Sequence, residues 1–192
     1  MPSPDSPLLP LPLWLRFLDE TSKIVTVLTA GVCLYTRSAG VIYFAAGSLA
    51  CALSAKLVKS AIRQERPAHG RKVTYGMPST HASTCTFFAA YAPLASLYLP
   101  LHPNLGPLAI YAPIIIVPWA GMIVLSRVWL GHHTRPQIVA GSTFGICFAS
   151  LWFRLWVDNA GGIRTLGEEM EELVDSFIAG HIAGSGSLNI LS

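Results

Sequence analysis

The sequence predicts an all-α protein, a polytopic membrane bundle of about five transmembrane helices. Three observations lead there. Of the 192 residues, 52% are hydrophobic and only 12% charged, with a mean hydropathy of +0.51, whereas a soluble domain carries about a quarter charged residues. Apolar runs recur along the chain, separated by short polar or proline-bearing interruptions. The charge is also segregated: six of the thirteen Lys and Arg residues fall between Lys56 and Lys72, and five of the ten acids between Glu168 and Asp175. A chain of this length accommodates one compact domain.

Residues 1–12 are Pro-rich and read as extended or disordered chain. Leu13, Trp14, Phe17 and Leu18 could form the apolar face of a short interfacial helix, which makes residues 1–22 a segment ahead of the membrane domain. The first span is Lys23–Thr36, short against the roughly 20 residues a bilayer requires, so it must borrow from its flanks. Arg37-Ser38 marks a tight turn. The second span runs from Ala39 to Val58. Lys56, Lys59 and Arg63 carry one face of it onward until Pro67, which steers the residue before it away from helical angles and should end the helix. Residues 68–77 read as a loop.

The third span begins near Pro78 or Ser79, where proline with Ser79, Thr80 and Ser83 is good N-terminal helix chemistry, and ends near Leu99. After a turn at Pro100–Pro107, the fourth span, Leu108–Ser126, should be kinked by Pro113 and Pro118. Arg127–Arg135 is a polar interruption, and Pro136–Val157 is the fifth span. The membrane domain is therefore 23–157. In the tail, 158–192, LGEEMEELVDSFI reads as an amphipathic helix with an acidic face, solvated more plausibly than partner-docking, followed by a disordered Gly/Ser-rich end.

Cysteines 33, 51, 85 and 147 lie singly in apolar segments and read as small buried hydrophobes, with no metal-ligand or disulfide spacing. If spans two to five all cross, the 59–81 and 127–135 loops meet on one side of the membrane and Pro100–Pro107 lies on the other. Cations packed beside a bilayer in this way point to a bound anion, most simply phosphate. A plain basic loop at the membrane surface is the competing reading.

Three pieces converge there: Lys59-x6-Arg66-Pro67, then Pro78-Ser79-Thr80-His81, then Ser126-Arg127-x5-His133. Together they resemble the K-x6-RP, PSGH and SR-x5-H-x3-D signature of the type 2 phosphatidic acid phosphatase family, relatives of the vanadium haloperoxidases. The resemblance covers about Leu49 to Ala149 and implies that family's helical core. It further implies that Lys59, Arg66 and Arg127 hold phosphoryl oxygens, with Ser79 and the Thr80–His81 backbone as neutral donors at a helix N-terminus. By the same resemblance His133 attacks phosphorus and His81 protonates the leaving oxygen. No metal or other cofactor is called for, since the cations neutralise the developing charge. Lys56, Arg63, Arg71 and Lys72 fall outside the pattern and read as surface contacts.

Two positions depart from the signature. Thr80 replaces its Gly, and Gln137 stands where the family's Asp would orient the nucleophile and stabilise its cationic form. A Gln can orient but supplies no charge. The dolichyl diphosphate phosphatases carry a similar His-Thr-x-x-Gln, matched by His133-Thr134-Arg135-Pro136-Gln137. Their Tyr-Gly-Met-Pro-Ser and SRVYL-like stretches are matched by Tyr75–Ser79 and by Ser126–Leu130, so the departure from the broad family is a match to that branch.

The resemblance implies a polyprenyl or dolichyl diphosphate substrate in the bilayer, in the endoplasmic reticulum membrane with a lumenal site, and no nucleic-acid partner; protein partners stay open. Two readings stand beside it: a broader lipid phosphatase acting on phosphatidate, lysophosphatidate or sphingoid phosphates, and a catalytically weak lipid-phosphate binder. A channel or transporter is remote, because the spans carry few charges to line a path. Positive-inside counting places the basic loop in the cytosol, against the resemblance; the phosphate-binding cations themselves inflate that count.

Overall fold

A computed structural model describes residues 13–65 and 75–188, apart from some side chains among them. The described residues form six α-helices and no strand: α1 (Leu13–Thr36), α2 (Ala39–Ile62), α3 (Thr80–Tyr98), α4 (Ala112–Trp129), α5 (Arg135–Val157) and α6 (Ile163–Leu188), with short 3₁₀ turns at Pro107–Tyr111 and Ala160–Gly162. Helices α1–α5 form the bundle. Among the described residues, three stretches are long and apolar enough to cross a membrane on hydropathy alone: Ala39–Ile62, Pro107–Trp129 and Arg135–Val157; Lys23–Thr36 is a shorter apolar run. The third expected span, α3, does not reach that hydropathy. It packs against α2, α4 and α5, so its Ser and Thr residues meet protein and it has little lipid to satisfy.

Several boundaries differ from expectation. No break separates an interfacial helix from the first span: α1 is one helix of 24 residues, and nothing between Leu13 and Lys23 is a helix breaker. In this way the short Lys23–Thr36 run gains the length it lacked. Helix α2 stops at Ile62, ahead of Pro67, because Arg63 adopts the left-handed conformation (φ 55°) and its N–H closes on the Lys59 carbonyl. Pro113 sits in the first turn of α4, where its missing N–H costs nothing, and only Pro118 lies inside that helix. The Gly/Ser-rich end is helical as far as Leu188. Cys51 is buried as expected, but Cys147 lies exposed on the outer face.

The core is an aromatic stack at the far side of the bundle from the polar loops. Cys51, Phe87, Tyr91, Ala149 and Phe153 are buried, with Phe44, Phe88, Phe148 and Trp152 packed around them. Tyr43 and Trp152 stack at 4.9 Å, and each side chain donates to the other's backbone: Tyr43 Oη to the Trp152 carbonyl (3.0 Å) and Trp152 Nε1 to the Tyr43 carbonyl (3.1 Å).

The closest approach is between α3 and α5. A Cβ added at Gly141 would lie 2.6 Å from the Ser79 carbonyl oxygen, and one at Gly145 would collide with the Ser83 carbonyl oxygen and Thr86 Oγ1. These two glycines, four apart on one face of α5, let the first turns of α3 lie directly on its backbone. Thr86 Oγ1 reaches across the crossing to the Ser142 carbonyl at 3.1 Å, sharing its one proton with the Ala82 carbonyl of its own helix at 2.7 Å.

Gly145→Val should therefore cost at least about 1–3 kcal/mol of stability through overpacking. Gly121→Val, where nothing lies within 4 Å of an added Cβ, should cost far less. Thermal unfolding in detergent, followed by size-exclusion chromatography, compares the two.

Candidate active site

The crossing of α3 and α5 brings two helix N-termini side by side. Ser79 caps α3, its Oγ accepting from Ala82 N at 3.4 Å, and Thr134 caps α5 in a capping box with Gln137. Ser79 N donates to the Gln137 carbonyl at 3.2 Å, which ties one cap to the first turn of the other helix. Both N-termini bring their partial positive charge to the same region.

Gln137 is the centre of the polar network, with 1% of its surface exposed. Its Oε1 accepts from Thr134 N (3.2 Å) and lies 3.2 Å from His133 Nδ1. Its Nε2 donates to the Glu65 carbonyl (2.8 Å) and to Gln64 Oε1 (3.2 Å). With two acceptors facing the nitrogen and a backbone donor facing the oxygen, only one orientation of this amide is satisfied. That orientation turns a carbonyl oxygen towards His133 Nδ1, which places a ring proton on Nδ1. A neutral side chain thereby sets the tautomer and direction of a buried imidazole.

His133 itself is held from behind: its N–H and that of His132 both donate to the Arg127 carbonyl, at 3.2 and 3.0 Å. Arg127, in the last turn of α4, is only 2% exposed, and its Nη2 donates to the Leu18 carbonyl of α1 at 2.8 Å. One arm of the guanidinium is thus anchored to protein. Lys59 lies in the last turn of α2 and is half-buried, as are Thr80 and His81 in the first turn of α3.

The network joins Ser79, Gln137, His133 and Arg127, residues from two loops more than 45 positions apart, and the α2 end reaches it through Gln64 and Glu65. Lys59 lies at the end of α2, and Thr80 and His81 lie at the start of α3. Arg66, the remaining expected phosphate ligand, lies outside the described residues, as do Arg71 and Lys72.

Three contributors carried no signal as site residues in the sequence. Gln64 and the Glu65 carbonyl sit inside K-x6-RP at positions the signature leaves open. Gly76 donates its N–H to the Gln64 carbonyl at 2.6 Å and leaves room for the amide: a Cβ there would overlap Gln137, with Cδ at 2.7 Å. The Tyr75–Ser79 stretch contains this glycine, but its reason is spatial.

Comparison with known proteins gives the class. The chain belongs to the PAP2 superfamily, whose pattern matches residues 25–160. It is 33% identical over 127 residues to Dolichyldiphosphatase 1 of Dictyostelium discoideum, covering 62% of this chain and 54% of that protein. It is 26% identical over 140 residues to Lipid phosphate phosphatase epsilon 1, chloroplastic, of Arabidopsis thaliana, covering 72% and 49%. The chain thus spans about half the length of these curated relatives. The fold resembles the crystal structure of a transmembrane PAP2 type phosphatidylglycerolphosphate phosphatase from Bacillus subtilis, with a TM-score of 0.55, 19% identity and coverage of 75% of this chain and 77% of that one.

Gly76→Ala is expected to destabilise the fold by about 1–3 kcal/mol, since the new methyl displaces the one amide that ties three elements together. A thermal-unfolding midpoint unchanged from wild type would contradict this packing.

Proposed function

We propose that this protein is a metal-independent lipid diphosphate phosphatase that hydrolyses dolichyl diphosphate to dolichyl phosphate and phosphate. The observation that carries the reading is the neutral Gln137 amide, held in one orientation with its oxygen 3.2 Å from His133 Nδ1. A site built around Gln, with both ends of the Gln137 amide partnered, reads as a working variant of the superfamily arrangement and not a damaged one. The similarity to dolichyldiphosphatases supports the substrate.

In the proposed reaction Lys59, Arg66 and Arg127 hold the non-bridging oxygens, with Ser79, Thr80 and the α3 N-terminus adding neutral donors. His133 Nε2 attacks the terminal phosphorus as the bond to the bridging oxygen breaks. His81 gives that oxygen its proton, releasing dolichyl phosphate. A phosphohistidine remains, and water then attacks its phosphorus, with His81 now accepting the water proton, to release inorganic phosphate. Gln137 keeps Nδ1–H pointed away from the phosphate, and the oxyanions balance the imidazolium charge that an Asp would otherwise offset. The proposed setting is the endoplasmic reticulum membrane with the site lumenal, where the product returns to use as the lipid carrier of N-glycosylation.

A broader lipid phosphate phosphatase is the second reading, favoured by the match to the chloroplast enzyme over 72% of the chain. Purified protein given dolichyl diphosphate, phosphatidate or dolichyl monophosphate in chelator separates the two. The expected outcome is phosphate release chiefly from dolichyl diphosphate, reduced at least about 10³-fold by His133→Ala, since the covalent route is then lost. Turnover untouched by that substitution would defeat the phosphohistidine mechanism, and preference for phosphatidate would favour the second reading.

Gln137→Glu gives a sharper test of the amide. It restores a negative charge near His133 but sets a carboxylate oxygen against two acceptors, Gln64 Oε1 and the Glu65 carbonyl. Turnover should fall by about tenfold or more, the size of one unsatisfied buried acceptor. A gain in kcat would show that charge, and not amide geometry, limits the site.

A further inference from the structure

We propose that α6 is an interfacial helix, lying across the end of the bundle opposite the phosphate site and seating an apolar stripe in the headgroup–acyl boundary of the bilayer. Its position is set by contacts to several bundle elements. Glu171 accepts from Ala39 N, the first residue of α2, at 2.6 Å, and its other oxygen lies 3.1 Å from His102 Nε2 in the loop after α3. Asp175 pairs with Arg37, just past α1, at 3.4 Å. Gly167 lies against Ala39 and Trp156, near the end of α5. A helix that touches the ends of α1, α2 and α5 along one short stretch lies across them.

The chain turns sharply to reach this position. Asn159, Gly161 and Gly162 all have positive φ (49°, 65° and 77°), and Asn159 Oδ1 accepts from Arg164 N and Thr165 N at the start of α6.

The level of the bilayer boundary can be read from exposed aromatic residues. Tyr35, Tyr98 and Tyr111 are exposed near the ends of α1, α3 and the start of α4, at the α6 end of the bundle. Trp14 and Trp129 are exposed at the other end, 5.9 Å apart. From Trp14 to Tyr35 along α1 is about 32 Å at 1.5 Å per residue, close to the hydrocarbon thickness of a bilayer. Aromatic residues gather at such boundaries, and α6 lies beside the Tyr35 end of this span.

The stripe itself is bare. Leu166, Met170, Leu173 and Phe177, spaced four, three and four, are 62%, 54%, 62% and 70% exposed. The bundle-facing side of the helix carries Gly167 and Glu171, and Glu168 and Glu172 lie on the flank away from the stripe. Apolar area at the boundary level, turned away from the bundle and edged on its other side by the exposed Glu169, fits the headgroup–acyl boundary. From Thr165 to His181 the helix has no Lys or Arg, so its seating rests on apolar area and needs no anionic lipid.

The test is photo-crosslinking of the full chain in phosphatidylcholine vesicles, with a photoreactive phenylalanine analogue placed singly at Leu173, Phe177 or Glu172. All three side chains are exposed, so the substitutions spare the fold. Lipid adducts at Leu173 and Phe177, and their loss at Glu172, are expected. Protein–protein adducts at Leu173 and Phe177 would overturn the proposal in favour of pairing between two copies. Equal yields at all three sites would overturn it in favour of a helix surrounded by water. None of these outcomes depends on the phosphatase reading.

Discussion

The close crossing of α3 on α5 is the constraint on which the rest of the structure depends. Helices in lipid gain little by hiding apolar surface from one another, because the lipid is equally apolar, so close packing and interhelical hydrogen bonds must hold them. Gly141 and Gly145 supply the close packing, and Thr86 supplies a hydrogen bond across the interface. Two consequences follow from one contact. The Ser- and Thr-bearing α3, which falls short of a membrane span's hydropathy, is enclosed by the others, and its N-terminus is set beside that of α5, where two partial positive charges add.

Around that contact the site is assembled from backbone groups as much as from side chains. Ser79 N, Thr134 N and the carbonyls of Glu65, Arg127 and Gln137 fix the positions of the titratable residues. This matters for the Gln137 position. A carboxylate would orient a histidine by charge, whereas an amide has an oxygen end and a nitrogen end and needs partners to choose between them. Gln64 and Glu65 make the choice from the α2 end, so exchanging Asp for Gln involves the connection before α3 as well as the residue itself.

Arg127 shows a related economy. Its buried guanidinium is tied to α1 through the Leu18 carbonyl, while its own carbonyl receives the His132 and His133 amides. One residue thus joins the first helix of the bundle to the loop carrying the proposed nucleophile. This also accounts for α1 being one continuous helix: its first turns, read from sequence as a separate interfacial piece, pack on the site end through Leu18 and Trp14.

By itself the sequence determined the helical membrane class, the order of the helices, the convergence of two polar loops and the signature residues, because hydropathy, proline and motif spacing are local properties. Ser79, Arg127, His133 and Gln137 were legible for that reason. The roles of Gln64, Gly76, Gly141 and Gly145 were not, since a glycine or an exposed amide acquires meaning only from what lies opposite it in space. The end of α2 was likewise decided by a left-handed Arg63 and not by the proline four residues on. The tail was legible as an amphipathic helix. Its placement across the far end of the bundle came from Glu171 and Asp175 finding partners more than 65 positions away, and only the tertiary structure could decide that.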